Sequence, residues 1–138
     1  MRGISIKAIA LATLAVFGVD IVWGMVLAGI FDGPTLTGSM TGEQKSAALA
    51  ALVGNRGYLS GVLILGTAST VLGGYLTARL ARELQYFNAL AFGALGVLLG
   101  VLTSAGLPLW FRVIGLGFTI PAALFGAYLC KRQPDANQ

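Results

Sequence analysis

The sequence contains no histidine, a single cysteine (Cys130), and only 14 charged residues, 9 of them Lys or Arg and 5 Asp or Glu. Without histidine, His-ligated zinc, His-ligated haem and histidine catalysis are excluded, and one cysteine excludes an internal disulfide. Charged residues are 10 % of the chain, whereas a soluble domain carries about 25 %. Hydrophobic residues make up 57 % and the mean hydropathy is +0.84. This composition excludes a water-soluble monomer and a disordered chain, and it predicts an integral membrane protein.

Four apolar stretches are long enough to cross a bilayer, whose core needs about 20 apolar residues in a helix. The backbone of a spanning segment must satisfy its own hydrogen bonds, so we expect helices. Short connections make neighbouring helices antiparallel. The sequence therefore predicts an all-α, four-helix integral membrane bundle that forms one domain over residues 1–138, with spans at about 5–31, 57–78, 86–105 and 109–129.

Basic residues are distributed unequally between the two ends of this bundle. Six fall at one end, namely Arg2, Lys7, Arg79, Arg82, Lys131 and Arg132. The other end carries Lys45, Arg56 and Arg112, balanced by Asp32 and Glu43. Because loops rich in Lys and Arg stay in the cytoplasm, both termini are predicted to be cytoplasmic in a cell inner membrane. The basic residues occur in ones and twos at span ends, which favours contact with membrane lipid over nucleic acid.

The only long connection lies between the first two spans and opens with a turn signal at 32–34. Thr41 and Gln44 have the spacing of a capping box, and a short helix over 43–53 with Gly54 as its C-cap follows. We expect an external amphipathic helix on the membrane surface. It either shortens the connection or forms a lid or docking surface.

Three spans carry small residues at intervals of three and four, which lets helix backbones approach closely in lipid. Most of this packing is expected within the bundle, but one small-residue face could instead contact another subunit or a second copy. The predicted packing positions are Gly57, Gly61, Gly73, Gly93, Gly96, Gly100, Gly115 and Gly126.

Asp20 lies roughly 22 Å along the first span, near mid-membrane. A charge there costs at least about 2.5–3.5 kcal/mol, so it needs a partner, a proton or a wet cavity. One interpretation is a proton or cation carrier; the other is a structural pair with Arg112, which lies three residues into the fourth span. Candidate hydrogen-bond donors to Asp20 are Thr67, Ser69, Thr70 and Thr119.

The segment Gly73-Gly-Tyr-Leu-Thr-Ala-Arg79, followed by a short basic turn and a glycine-rich third helix, is similar to a loose group of small four-helix inner-membrane proteins of bacteria. That resemblance implies a location and a size, and no activity. The acidic residue in the first helix also resembles small multidrug exporters, which use a Glu there in a homodimer. Asp20, the long first connection and Arg112 depart from that pattern.

No cofactor site, metal site or catalytic constellation is predicted, because the candidate carboxylates Glu43, Glu83 and Asp135 are scattered over separate segments outside the spans. The leading hypothesis is an accessory or assembly subunit of a larger membrane complex, without enzymatic activity. The alternative is a small homo-oligomeric transporter coupled to protons or another cation through Asp20. The partners expected are lipid and either other membrane subunits or further copies of the chain.

Overall fold

The computed structural model describes residues 3–31, 40–81 and 83–132. Within these residues the chain forms five helices. Four of them are long and apolar enough to cross a membrane, so the predicted all-helical, multi-pass architecture is confirmed at this level. The helices are α1 (Ile6–Ile30), α2 (Gly42–Gly54), α3 (Arg56–Ala81), α4 (Gln85–Thr103) and α5 (Leu109–Arg132).

Polar side chains at the helix starts explain where several helices begin. The Ser5 hydroxyl accepts a hydrogen bond from the Ala8 N–H at the start of α1. Asn55 accepts bonds from the backbone N–H groups of Gly57 and Tyr58 and so caps α3. These side chains satisfy amide groups that have no partner within the helix itself. α3 continues to Ala81, three residues beyond the predicted apolar span, through a polar turn that contains Arg79.

The short helix α2 begins as its sequence predicts. Thr41 and Gln44 form both hydrogen bonds of a capping box, at 3.3 and 2.9 Å. The prediction of Gly54 as C-cap is wrong by one position, because Gly54 is the last helical residue and Asn55 is the cap. α2 packs on α3. The turn predicted at 32–34, the basic residues Arg2 and Arg82, and Asp135 lie outside the described residues.

α3 is the central element, since it contacts α1, α4 and α5 as well as α2. We call the end of the bundle where α1 begins and α5 ends the terminal end, and the opposite end the α2 end. Every buried residue of α4 and α5 lies in the half of its helix nearer the terminal end. Alanine dominates the interior there; the fully covered apolar residues are Ala12, Ala78, Ala89, Ala123 and Ala127. The helices therefore pack closely at the terminal end.

The eight glycines predicted for helix packing all face another element of the same chain. A Cβ at Gly126 would overlap with the carbonyl oxygen of Val71, so α3 and α5 touch backbone to backbone. Gly74, which the sequence analysis did not single out, makes the reciprocal contact with the Ala123 carbonyl. The other pairs are Gly57 with Phe31, Gly61 with Leu27, Gly73 with Phe92 and Val16, Gly93 with Ile120, Gly96 with Thr119, Gly100 with Leu116, and Gly115 with Leu63.

Candidate functional site

A cavity of about 280 Å³ lies among α1, α3, α4 and α5 in the half of the bundle nearer the α2 end. Its lining runs from Asp20 and Thr119 at the inner level to Ser104 and Arg112 at the α2 end. A second cavity of about 180 Å³ lies between α1 and the neighbouring helices. Both cavities are lined by Asp20, Thr70, Gly96 and Thr119. Asp20, which is exposed on α1, therefore lies where two open cavities meet.

Four glycines border the larger cavity, namely Gly66, Gly96, Gly100 and Gly115. A Cβ at Gly66 would meet nothing within 4 Å, whereas a Cβ at each of the other three would contact a side chain of a neighbouring helix. Gly66 is therefore the one of the four that leaves open space beside the backbone.

Ser69 of α3 is the hydroxyl-bearing residue beside Asp20. The Ser69 hydroxyl is buried, at 2 % exposure. It makes no hydrogen bond of standard geometry among the described residues, so it does not hold the Asp20 carboxyl in place.

Arg112 is held by Ser104 rather than by Asp20. Its Nε donates to Ser104 Oγ at 3.1 Å, across the turn between α4 and α5. Arg112 precedes Thr119 by seven residues, which is about 10.5 Å along a helix. The two oppositely charged residues therefore border one cavity at different depths. The structural interpretation of Asp20 requires an ion pair with Arg112, but the hydrogen bond that Arg112 makes goes to Ser104.

The threonines that the sequence indicated as candidate donors to Asp20 do not donate to it. Each donates to the backbone carbonyl oxygen four residues earlier in its own helix. The bonds are 2.7 Å for Thr67 and 2.8 Å for Thr70, Thr103 and Thr119. A hydroxyl has one proton and two lone pairs. Because the proton is engaged, these side chains present only acceptor lone pairs to the cavity.

Leu63 and Leu116 are apolar wall residues between the levels of Thr119 and Arg112, whereas Leu107 and Phe111 lie at the α2 end of the cavity. The site therefore has an acceptor-rich inner end at Asp20, an apolar stretch at Leu63 and Leu116, and a cationic end at Arg112, which we call the mouth. Within the described part of the chain, no group of three or more His, Cys, Asp or Glu could hold a metal ion.

Ser104, the partner of Arg112, was not predicted from the sequence. A cation inside an apolar span needs a polar neighbour. Ser104, eight residues before Arg112, was a candidate for that neighbour on this ground. Comparisons of the chain with protein families, with curated proteins and with solved structures give no match. The fold and site define a small multi-pass α-helical membrane protein with a largely apolar cavity that Asp20 and Arg112 border.

Proposed function

We propose that the protein is a small membrane transporter coupled to protons or another cation, with Asp20 as the ion-binding residue. The observation that carries this proposal is the position of the carboxylate at the junction of two cavities, away from the guanidinium of Arg112. An ionisable side chain inside a membrane is expensive, and it typically marks an ion or substrate pathway. The proposal includes no catalytic step, cofactor or resident metal.

The packing of the bundle supports a transport cycle with alternating access. At the terminal end, Phe92 of α4 packs with Ala12 and Ala123, and Asn88 accepts a hydrogen bond from the Ser5 N–H. At the α2 end these helices surround a cavity instead. An ion would reach Asp20 from the α2 end in this conformation. Release at the terminal end requires α1 and α4 to separate there.

We further propose that the terminal end faces the cytoplasm of a cell inner membrane, so that the cavity opens to the exterior and α2 lies outside. Lys7, Arg79, Lys131 and Arg132 lie at the terminal end. Three of these cations stack on rings, Arg79 on Tyr75, Lys131 on Tyr86 and Arg132 on Tyr128, at 5.5–5.9 Å. Lys and Arg are retained on the cytoplasmic side, and aromatic rings favour the membrane interface.

Ion flux through reconstituted protein tests the proposed function. Proteoliposomes with a trapped pH-sensitive dye should show a flux with the wild-type protein and none with Asp20→Asn. Glu43→Gln is the matched control, because it removes an exposed carboxylate of α2 outside the cavity lining, and it should keep the wild-type flux. An absence of flux in the wild type, or equal flux from Asp20→Asn, would overturn the proposal.

A role as an accessory or assembly subunit is a second candidate, and the exposure of α1 favours it. The most apolar stretch of α1 is only 6 % buried, compared with 22 % in each of the other three long helices. The eight packing glycines face their own chain, so α1 offers the largest uncovered apolar face. Purification from native membranes in mild detergent should then recover a stoichiometric partner. Recovery of the chain alone would contradict this role.

We propose that one chain is sufficient to build the candidate site. The lining of both cavities comes from helices of a single chain. A monomer in a nanodisc should therefore carry the ion-binding site, and a homo-oligomer would be an additional arrangement around it.

A further inference from the structure

We infer that the larger cavity binds a small zwitterion whose ammonium and carboxylate groups stand at opposite ends of a short apolar chain. This inference names the substrate class of the site and rests on the proposed function for its role in transport. The observation behind it is that Asp20 and Arg112 border one cavity, while the hydrogen bond that Arg112 makes goes to Ser104.

The inner end of the cavity suits an ammonium group. Asp20 supplies a carboxylate there, and Thr70 and Thr119 supply hydroxyl oxygens whose protons are bonded to backbone carbonyls at 2.8 Å. An ammonium group has three donors and no acceptor, so it matches a surface that offers only acceptors. A ligand carboxylate at this level would meet like charge instead.

The mouth of the cavity suits a carboxylate. Ser104 engages Arg112 through Nε at 3.1 Å, which positions the side chain and leaves the outer edge of the guanidinium with further donors. That planar group matches a carboxylate with two parallel hydrogen bonds. Because Ser104 belongs to the protein, the guanidinium is oriented before the ligand arrives.

The spacing of the two charges selects the length of the ligand. Thr119, at the level of Asp20, and Arg112 are about 10.5 Å apart along α5. A ligand that contacts both Asp20 and Arg112 must therefore carry its two charged groups on different carbons, separated by several atoms. A chain of a few methylenes meets this requirement, and Leu63 and Leu116 would cover it. An α-amino acid cannot reach both ends, since its charged groups share one carbon.

Ligand binding to the wild-type chain tests this inference without any substitution. Isothermal titration of the full chain in nanodiscs would compare δ-aminovalerate with its isomer norvaline, and with pentylamine and valerate, which each carry one of its two charges. A charge-assisted hydrogen bond corresponds to about tenfold in affinity or more. We expect δ-aminovalerate to bind about tenfold tighter than each of the other three. Undetectable binding of δ-aminovalerate, or equal binding of norvaline, would overturn the inference.

Two variants then show which end of the cavity binds each charged group of the ligand. Arg112→Gln should lower the affinity for δ-aminovalerate to that of pentylamine and leave pentylamine binding unchanged. Asp20→Asn should weaken both ligands about tenfold or more. A loss of pentylamine binding in Arg112→Gln would contradict the assignment of the carboxylate to the mouth. If δ-aminovalerate binds as expected and no Asp20-dependent ion flux exists, the binding inference stands and the transporter proposal fails.

Discussion

Asn88 accepts a hydrogen bond of 2.6 Å from the backbone N–H of Ser5, across 83 positions of the chain. Its side-chain amide also donates to the carbonyl oxygens of Glu83 and Leu84, both at 3.1 Å. Asn88 is completely buried. One side chain therefore joins the N-cap of α1 to the first turn of α4 and ties together the helices that close the terminal end.

The first prediction concerns this link. Asn88→Ala should lower the free energy of unfolding by about 2–3 kcal/mol, because the Ser5 N–H and two carbonyl groups lose a partner in a buried place. Unfolding in mixed micelles with increasing sodium dodecyl sulfate measures the change. Asn55→Ala is the control: it removes an exposed helix cap from α3 and should cost about 1 kcal/mol. Equal effects of the two substitutions would contradict a special role for Asn88.

The second prediction concerns the backbone contact between α3 and α5. Gly126→Ala would place a methyl group against the Val71 carbonyl oxygen and 2.6 Å from the Tyr75 amide nitrogen. Backbone atoms cannot yield as a side chain does, so the helices must separate, at about 1–3 kcal/mol or more. Gly117→Ala lies in the same helix with nothing within 4 Å of the added atom. It should be neutral or gain up to about 1 kcal/mol from helix propensity. A thermal melt in detergent distinguishes the two, and equal melting temperatures would refute the contact.

Composition and hydropathy predict the helical class because a membrane leaves few alternatives to a helix of about 20 residues. The start of α2 was likewise predictable, since Thr41 and Gln44 interact within one turn. Local patterns determine both features. The C-cap of α2 was predicted one residue too early, at Gly54, because a helix end depends on one or two dihedral angles that the pattern does not specify.

The cavity could not be predicted in this way. Gly66 borders an open space, while Gly126 contacts another backbone, yet both are glycines inside apolar spans. Their difference depends on how α3 and α5 cross, which is a property of the assembled bundle. The partner of Arg112 could not be predicted for a similar reason, because the turn between α4 and α5 brings Ser104 to it. Asp20 and Arg112 were recognisable, since a charge in an apolar span is unusual in any fold.

The third prediction concerns the buried hydroxyl of Ser69, which makes no standard hydrogen bond within the described residues. Its burial is costly, so Ser69→Ala should keep or raise the free energy of unfolding, by up to about 1 kcal/mol. Thr77→Val is the comparison, because the buried Thr77 hydroxyl donates to the Gly73 carbonyl at 2.7 Å. Its loss should destabilise by about 1 kcal/mol. Unfolding in mixed micelles measures both, and a loss of stability in Ser69→Ala would contradict this prediction.

The fourth prediction tests the proposed orientation. In a Cys130→Ala background, Ser46→Cys places a thiol on an exposed position of α2, and Lys131→Cys places one on an exposed position at the terminal end. The basic residues at the terminal end should keep it in the cytoplasm. A membrane-impermeant maleimide should therefore label Ser46→Cys in right-side-out vesicles and Lys131→Cys only in inverted ones. The reverse pattern would mean that the cavity faces the cytoplasm. The three helices α3, α4 and α5 require the two thiols to lie on opposite sides of the membrane, so labelling of both from one side would contradict the fold.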